Sequence, residues 1–128
     1  MDAGLADFPM ADPRRLDWLV GMRQKIVATI QKIPHGKVST YGAVARAAGF
    51  PGAARQVVGA LRSSFGLPWH RVLGAGGEIK LRGDSAVEQR LRLESEGVAF
   101  RGKRVDMKRH EFRFSTPGRR KRTSRKKS

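Results

Sequence analysis

Residues 39–62 read STYGAVARAAGFPGAARQVVGALR, and this stretch decides the fold. Its first two residues carry hydroxyl groups that can cap the start of a helix over residues 41–48. Gly49 is typical of a helix end, because glycine adopts the left-handed conformation that closes the last turn. A further helix is expected over residues 53–62, so the pattern predicts a helix-turn-helix unit. The side chains predicted to face inward from this further helix are Ala54, Val57, Val58 and Leu61.

The segment before this unit predicts one longer helix. Asp12 followed by Pro13 is typical of a helix start, since Asp caps the first turn and Pro is tolerated in it. Pro34 and Gly36 are expected to end the helix, because neither residue continues it well. One apolar face is predicted from residues that recur at helical spacing: Leu16, Leu19, Val20, Ile26, Val27 and Ile30.

A glycine-rich turn follows the helix-turn-helix unit after a loop at residues 65–68. Gly74, Gly76 and Gly77 separate two apolar runs at residues 70–73 and 78–81. Glycines between two short apolar runs are typical of a β-hairpin. We therefore expect these two runs to pair with each other.

The last part of the domain predicts one more helix and two short strands. Ser85 with Glu88 has the spacing of a capping box, and Gly97 is placed to close the helix that follows. Short terminal strands are expected at residues 98–100 and 112–114. The fold class predicted from the whole pattern is a mostly helical α+β domain.

The chain is expected to form one domain between two unlike termini. A leader at residues 1–14 precedes the domain at residues 15–115, and a basic tail covers residues 116–128. From Arg119 onward the chain carries seven Lys or Arg and no acid, so the tail is expected to be disordered. Without those seven charges the net charge is still +9, so the folded part is basic in its own right.

The composition points to a polyanionic partner and excludes thiol chemistry. The 128 residues carry a net charge of +16, which favours nucleic acid as the partner. There is no cysteine, so disulfides, thiolate metal ligands and thiol nucleophiles are excluded. No secretory signal or membrane span is recognisable, and three isolated histidines are a poor metal site. We expect a monomer without cofactor or metal, cytoplasmic (nucleoid-associated) or nuclear, not secreted and not on a membrane.

Four motifs occur in one order and spacing. They are PHGKVSTYG at 34–42, ARQV at 54–57, PWHRV at 68–72 and EG at 96–97. Together they resemble the DNA-binding domain of the O6-alkylguanine-DNA alkyltransferases, over residues 18–98. The resemblance implies a single winged helix-turn-helix-like DNA-binding domain of the alkyltransferase C-terminal type.

The resemblance implies roles for residues on the two short helices. Tyr41 and Arg55 match the family's residues that flip a nucleotide out of the duplex. Ala54 and Gly59 belong to a set of small residues on the helix that the family docks in the minor groove. Val58 departs from the glycine that the family commonly has there. Without the resemblance, Tyr41 and Arg55 would be a surface Tyr and Arg on short helices.

Trp69 stands where the family has the cysteine that accepts the alkyl group. Dealkylation needs an activated thiolate, and an indole is not a nucleophile. The chain therefore resembles the alkyltransferase-like subfamily, which senses lesions without repairing them. His70 and Glu96 match the pair that activates the missing cysteine, so they are a structural remnant of the catalytic relay, and no catalytic residue is expected.

The resemblance also implies a pocket for the lesion, bordered by Trp69, Val72 and Arg82. The loop at residues 64–67 is shorter than in the family and residues 80–83 replace its lid, which suggests a pocket that tolerates larger adducts. Arg82 is expected to stack on the extruded purine. Two simpler interpretations remain open, in which Trp69 is a core aromatic and Arg82 a solvated side chain.

The predicted function is that of a non-enzymatic DNA damage sensor. It binds duplex DNA containing O6-alkylguanine, flips the lesion and promotes nucleotide excision repair through other proteins, as the resemblance implies. One alternative is a base-flipping repair enzyme of glycosylase type, for which Glu96 is the only candidate carboxylate in the motifs. Another is a non-specific DNA-coating protein that acts through charge alone.

Overall fold

Helix α1 (Pro13–Gln31) begins at the predicted proline in the computed structural model, which describes residues 13–114. The Asp12 cap, the rest of the leader and the basic tail lie outside the described residues. The side chains of Met22, Ile26 and Ile30 recur every four residues on α1 and are buried. This stripe forms the centre of the first core, because residues at that spacing share one face of a helix.

Two residues predicted for the buried face of α1 are exposed instead. Leu19 is 38% exposed and Val20 is 49% exposed. Both line an open hollow between α1 and a later helix, opposite Gly59. Because Gly59 has no side chain and a Cβ there would meet nothing within 4 Å, the hollow is left uncovered.

The helix-turn-helix unit forms as predicted. Helix α2 (Tyr41–Ala48) is capped by the Thr40 hydroxyl, which accepts a 3.1 Å hydrogen bond from the amide of Ala43. Gly49 closes α2 in the left-handed conformation with φ of 98°. Helix α3 (Ala54–Ser63) begins and ends one residue later than expected.

The inward face of α3 is narrower than the sequence pattern predicted. Val57 and Ala60 are its buried residues, and Ala60 was not among those expected. Ala54, Val58 and Leu61 are only half-buried. Small residues at this helix crossing let α2 and α3 pack closely, and they leave one side of α3 at the surface.

The predicted hairpin at residues 70–81 is wrong. Strand β1 (Ser39–Thr40) pairs in parallel with strand β2 (Val72–Leu73), so β2 already has its partner. The glycine-rich turn holds a short 3-10 helix, Ala75–Gly77. Residues 79–81 form no strand. The two sides of the turn are joined by a 2.8 Å hydrogen bond that the Gly74 amide donates to the Glu78 carbonyl.

Helix α4 (Asp84–Ser95) differs from its prediction at the start. It begins at Asp84 after Gly83, and no side chain caps it, so the expected capping box is wrong. Ser85 lies inside the first turn, where its hydroxyl cannot serve as the cap. Gly97 follows the end of the helix in the left-handed conformation, as expected. Gln89 and Leu93 are the buried residues of α4.

The end of the domain is a small hairpin and one helical turn. Strands β3 (Phe100–Arg101) and β4 (Arg104–Val105) pair in antiparallel fashion, and helix α5 (Met107–His110) follows. The strand expected at residues 112–114 does not form. Instead the Phe112 amide donates to the carbonyl of Val38 and the ring packs on the first core.

Strand β2 joins the two hydrophobic cores of the domain. Val72 belongs to the core built by α1, α2 and α3, while Leu73 belongs to a second core with Leu93 and Val105. Neighbouring residues of a strand point to opposite sides, so one short strand serves both cores. The PWHRV segment is thereby held at the junction. The mostly helical α+β class is confirmed, and the described residues contain no helix that is long and apolar enough to cross a membrane.

Candidate nucleic-acid interface and base pocket

The two predicted relay residues form one hydrogen-bonded cluster. His70 Nε2 lies 2.7 Å from Glu96 Oε2. Arg71 also binds this carboxylate, with Nη2 at 2.7 Å and Nε at 3.0 Å, and its Nη1 donates to the Ile33 carbonyl at 2.9 Å. The Gly36 amide donates to Glu96 Oε1 at 3.0 Å. The cluster therefore ties the PHG and PWHRV motifs to the end of α4.

The carboxyl group of Glu96 is held in its ionised form. Burial raises its pKa, but the hydrogen bonds from Arg71, the Gly36 amide and His70 outweigh burial and lower the pKa to about 2. The side chain of Glu96 is only 8% exposed, so these bonds are shielded from water. At neutral pH the carboxylate can only accept hydrogen bonds.

The hydrogen bond to Glu96 determines that the Nε2 atom of His70 is the donor. Because the Glu96 carboxylate has no proton to donate, His70 Nε2 carries the hydrogen of their 2.7 Å bond. Nδ1 of His70 is buried and has no hydrogen-bond partner among the described residues. Its neighbour Trp69 meets the imidazole ring edge to face, with centroids 6.1 Å apart. The relay is intact, but the residue beside it is an indole.

A cavity of about 310 Å³ brings together three of the predicted site residues, Tyr41, Trp69 and Val72. Its walls come from α2, α3, the PWHRV segment and α4. The other lining residues are Val58, Leu61, Arg62, Leu81, Ser85 and Gln89. Arg62 is the charged member of this lining, and the remainder is apolar or neutral. Such a cavity suits a flat, mostly apolar group with a few polar edges.

Tyr41 keeps its hydroxyl proton in this setting. Burial raises the pKa of the phenol, and the positive charge of Arg62 acts in the opposite direction without cancelling the effect of burial. Tyr41 is the first residue of α2 and is half-buried. The neutral phenol can donate a hydrogen bond at the edge of the cavity.

The remaining predicted residues lie outside this cavity. Arg55 is exposed in the first turn of α3, and Arg55 and Gly59 line the hollow of about 520 Å³ between α1 and α3. Ala54 begins α3 and is half-buried. Arg82 is exposed and is not part of the cavity lining, although the preceding residue, Leu81, is.

Sequence reasoning missed several residues of the site. Arg71 and Gly36 lie within the quoted motifs but were given no role in the site. Arg62 follows Arg55 by seven residues, and that spacing on one helix face could have indicated it. Gln89 gave no sequence signal, because its place in the cavity wall depends on how α4 packs.

The surface around α2 and α3 is positively charged. Arg46, Arg55 and Arg62 are exposed, and no acidic side chain of the described residues forms an ion pair with them. Exposed arginines on two neighbouring short helices are well placed to bind phosphate groups. Within residues 13–114, no cluster of three His, Cys, Asp or Glu side chains could hold a metal ion.

These features define a helix-turn-helix domain of the kind that binds nucleic acid, with a cavity behind its second short helix. The chain belongs to the family of the 6-O-methylguanine DNA methyltransferase DNA-binding domain, whose family model matches residues 21–98. The resemblance inferred from the four sequence motifs is thereby confirmed.

Comparison with individual proteins gives the same family. The chain is 41% identical over 95 residues to the DNA base-flipping protein of Escherichia coli strain K12, covering 71% of this chain and 74% of that protein. It is 48% identical over 79 residues to alkyltransferase-like protein 1 of Schizosaccharomyces pombe, covering 58% and 73%. A crystal structure of the S. pombe protein with damaged DNA containing O6-carboxymethylguanine matches with a TM-score of 0.55 and 36% identity, covering 76% and 91%.

Proposed function

We propose that the protein is a non-enzymatic sensor of O6-alkylguanine in duplex DNA. The observation that carries the proposal is that Trp69 lines the cavity beside the hydrogen-bonded pair His70–Glu96. The resemblance matches Trp69 to the family's acceptor cysteine and this pair to the groups that activate it. The chain has no cysteine at any position. The base would therefore be held in the cavity without transfer of its alkyl group.

Helix α3 is the element that would lie in the minor groove. Its exposed side carries Arg55, with the half-buried small residues Ala54 and Gly59 beside it, and small side chains let a backbone approach the sugar-phosphate walls closely. Val58, which replaces a glycine of the family, is half-buried in the cavity wall and so takes up little of this exposed side.

Extrusion of the nucleotide would use one residue from each short helix. Tyr41 would crowd the phosphate and guide its rotation, and Arg55 would fill the gap left in the stack. Extrusion costs a few kcal/mol, which the inserted side chain and the cavity contacts would offset. The cavity volume of about 310 Å³ lies at the lower end of small-molecule pockets and suits a single base. The similarity to the E. coli protein named for base flipping supports this proposal.

The downstream role would be recruitment rather than repair. A protein that holds a lesion without turnover needs other proteins to remove it, and we assign that step to nucleotide excision repair. The domain at residues 15–115 would act as a monomer, with the tail at residues 116–128 adding phosphate contacts through its charge.

Product analysis tests the non-enzymatic claim. The protein is incubated with a duplex that carries O6-methylguanine labelled in the methyl group. We expect all label to stay on the DNA and no abasic site to form. Label on the protein would show alkyl transfer, and abasic sites would show a glycosylase; either result would overturn the proposal.

A further inference from the structure

Arg92 of α4 lies over the indole of Trp69. Its guanidinium carbon is 5.5 Å from the centroid of the Trp69 ring. Trp69 lines the cavity whereas Arg92 is not part of the lining, so Arg92 contacts a residue of the cavity wall without lining the cavity itself. A guanidinium at this distance from an aromatic face is a cation–π contact.

The guanidinium is fixed by a second contact. Arg92 Nη2 lies 2.7 Å from Glu88 Oε2 and Nε lies 2.8 Å from the same oxygen, one helical turn earlier. Two guanidinium nitrogens that donate to one carboxylate oxygen restrict the orientation of the planar group, and Arg is better suited to this than Lys. Arg92 is therefore presented to the indole with a defined geometry.

Another residue of α4 binds the backbone of the PWHRV segment, which contains Trp69. Nε2 of Gln89, which is 1% exposed, donates 3.1 Å hydrogen bonds to the carbonyls of His70 and Val72. The backbone on both sides of Arg71 is thus tied to α4. Within the part of the chain that the structure describes, the indole of Trp69 is oriented by packing contacts, with the edge of His70 and the cation of Arg92.

We propose that Arg92 is a positioning residue that determines how well Trp69 recognises the extruded base. The inference rests on the proposed function. The cation fixes the indole plane and draws electron density toward itself, away from the face that the base would meet. A stacked purine is electron-rich on its own face, so a less negative indole face repels it less.

The helix contains a matched control for this idea. Arg90 forms an ion pair with Glu94 at 3.0 Å, also one turn apart, and its guanidinium carbon lies 4.1 Å from the ring of Phe100. The two arginines share the same helix, the same type of ion pair and the same type of aromatic contact. Only Arg92 contacts the residue that lines the cavity.

The experiment compares Arg92→Met, Arg92→Lys and Arg90→Met in the full chain. All carry Trp18→Phe, because Trp18 and Trp69 are the chain's two tryptophans and this change leaves Trp69 as the reporter. The measurements are Trp69 emission in the free protein, affinities for matched guanine and O6-methylguanine duplexes, and the free energy of unfolding as a check on folding.

We expect Arg92→Met to shift Trp69 emission and to reduce the ratio of lesion to plain affinity about two- to fivefold, the range of an exposed cation–π contact. Arg92→Lys should restore part of that ratio, and Arg90→Met should leave both readouts unchanged.

Three results would overturn the proposal. Unchanged emission and ratio in Arg92→Met would exclude the contact, and an equal loss in Arg90→Met would show a general effect of α4. Equal weakening of both duplexes would make Arg92 a phosphate contact only. If the parent protein itself failed to discriminate, the proposed function would fail together with the recognition role of Arg92. Trp69 emission would then still decide whether Arg92 orients the indole.

Discussion

Replacing Glu96 with glutamine removes the charge at the centre of the relay cluster. In the folded protein the hydrogen bonds from Arg71, the Gly36 amide and His70 lower the pKa of Glu96 to about 2, against an ordinary value of 4.5. That depression corresponds to about 3 kcal/mol of folding stability. Glutamine keeps part of the hydrogen bonding, so we expect Glu96→Gln to lose about 2–3 kcal/mol at pH 7, or roughly 10–20 °C in Tm for a domain of this size.

The pH dependence gives this prediction its sign. A carboxyl group with a lowered folded-state pKa stabilises the protein above its unfolded-state pKa and loses that contribution as the pH falls through the folded-state value. The stability difference between the natural protein and Glu96→Gln should therefore be full above pH 5. It should shrink between pH 4.5 and pH 2. Urea unfolding at several pH values measures it.

Glu94→Gln is the matched control, because Glu94 is 45% exposed and its ion-pair partner within residues 13–114 is Arg90 on the same helix. Its loss should stay below about 1 kcal/mol. If the relay is purely structural here, Glu96→Gln will keep its lesion discrimination wherever it is folded. The reasoning is refuted if Glu96→Gln is as stable as Glu94→Gln, or if the folded variant no longer distinguishes lesion from plain DNA.

Three further predictions concern DNA binding. Arg55→Ala and Tyr41→Ala should each weaken binding to the lesion duplex, by about 1–3 kcal/mol for Arg55. A base analogue that fluoresces when unstacked should report less flipping in both variants, and unchanged affinity and fluorescence would exclude the two roles. Deleting residues 119–128 should weaken binding to all duplexes alike and flatten the log–log salt slope by about 0.9 per lost contact, whereas an unchanged slope would assign the tail another role. If Arg82 stacks on the purine, Arg82→Lys should reduce the discrimination between lesion and plain duplex by up to about 1–2 kcal/mol. Full discrimination in that variant would exclude stacking.

The helices were predictable because their signals are local. Thr40 and Gly49 mark the ends of α2 through bonds and backbone angles within one turn of the residue itself. The hairpin prediction failed because Val72 pairs with Ser39, more than thirty residues away. A parallel pairing of two-residue strands leaves no periodic pattern, and the nearby glycines indicated a simpler turn.

In the candidate site, too, residues within local motifs could be predicted and residues placed by distant contacts could not. Trp69 and Val72 could be assigned to one pocket from motifs, and the structure places both in the cavity lining. Arg82 was assigned to the same pocket but is not in the lining, and Tyr41, which was expected only to act in flipping, is. Gln89 and Arg92 could not be assigned from motifs, because they reach the site only through the packing of α4 against the PWHRV segment. Side chains on a neighbouring element depend on tertiary contacts that one sequence does not specify.

Equilibrium binding to two duplexes that differ only in guanine or O6-methylguanine at one position tests the central claim most directly. It should be done with the full chain at fixed salt, because phosphate contacts depend strongly on ionic strength. We expect tighter binding to the lesion duplex, and this preference should persist as the salt concentration is raised and both affinities fall. Equal affinities at every salt concentration would contradict it and would leave a basic protein that coats DNA without recognising damage.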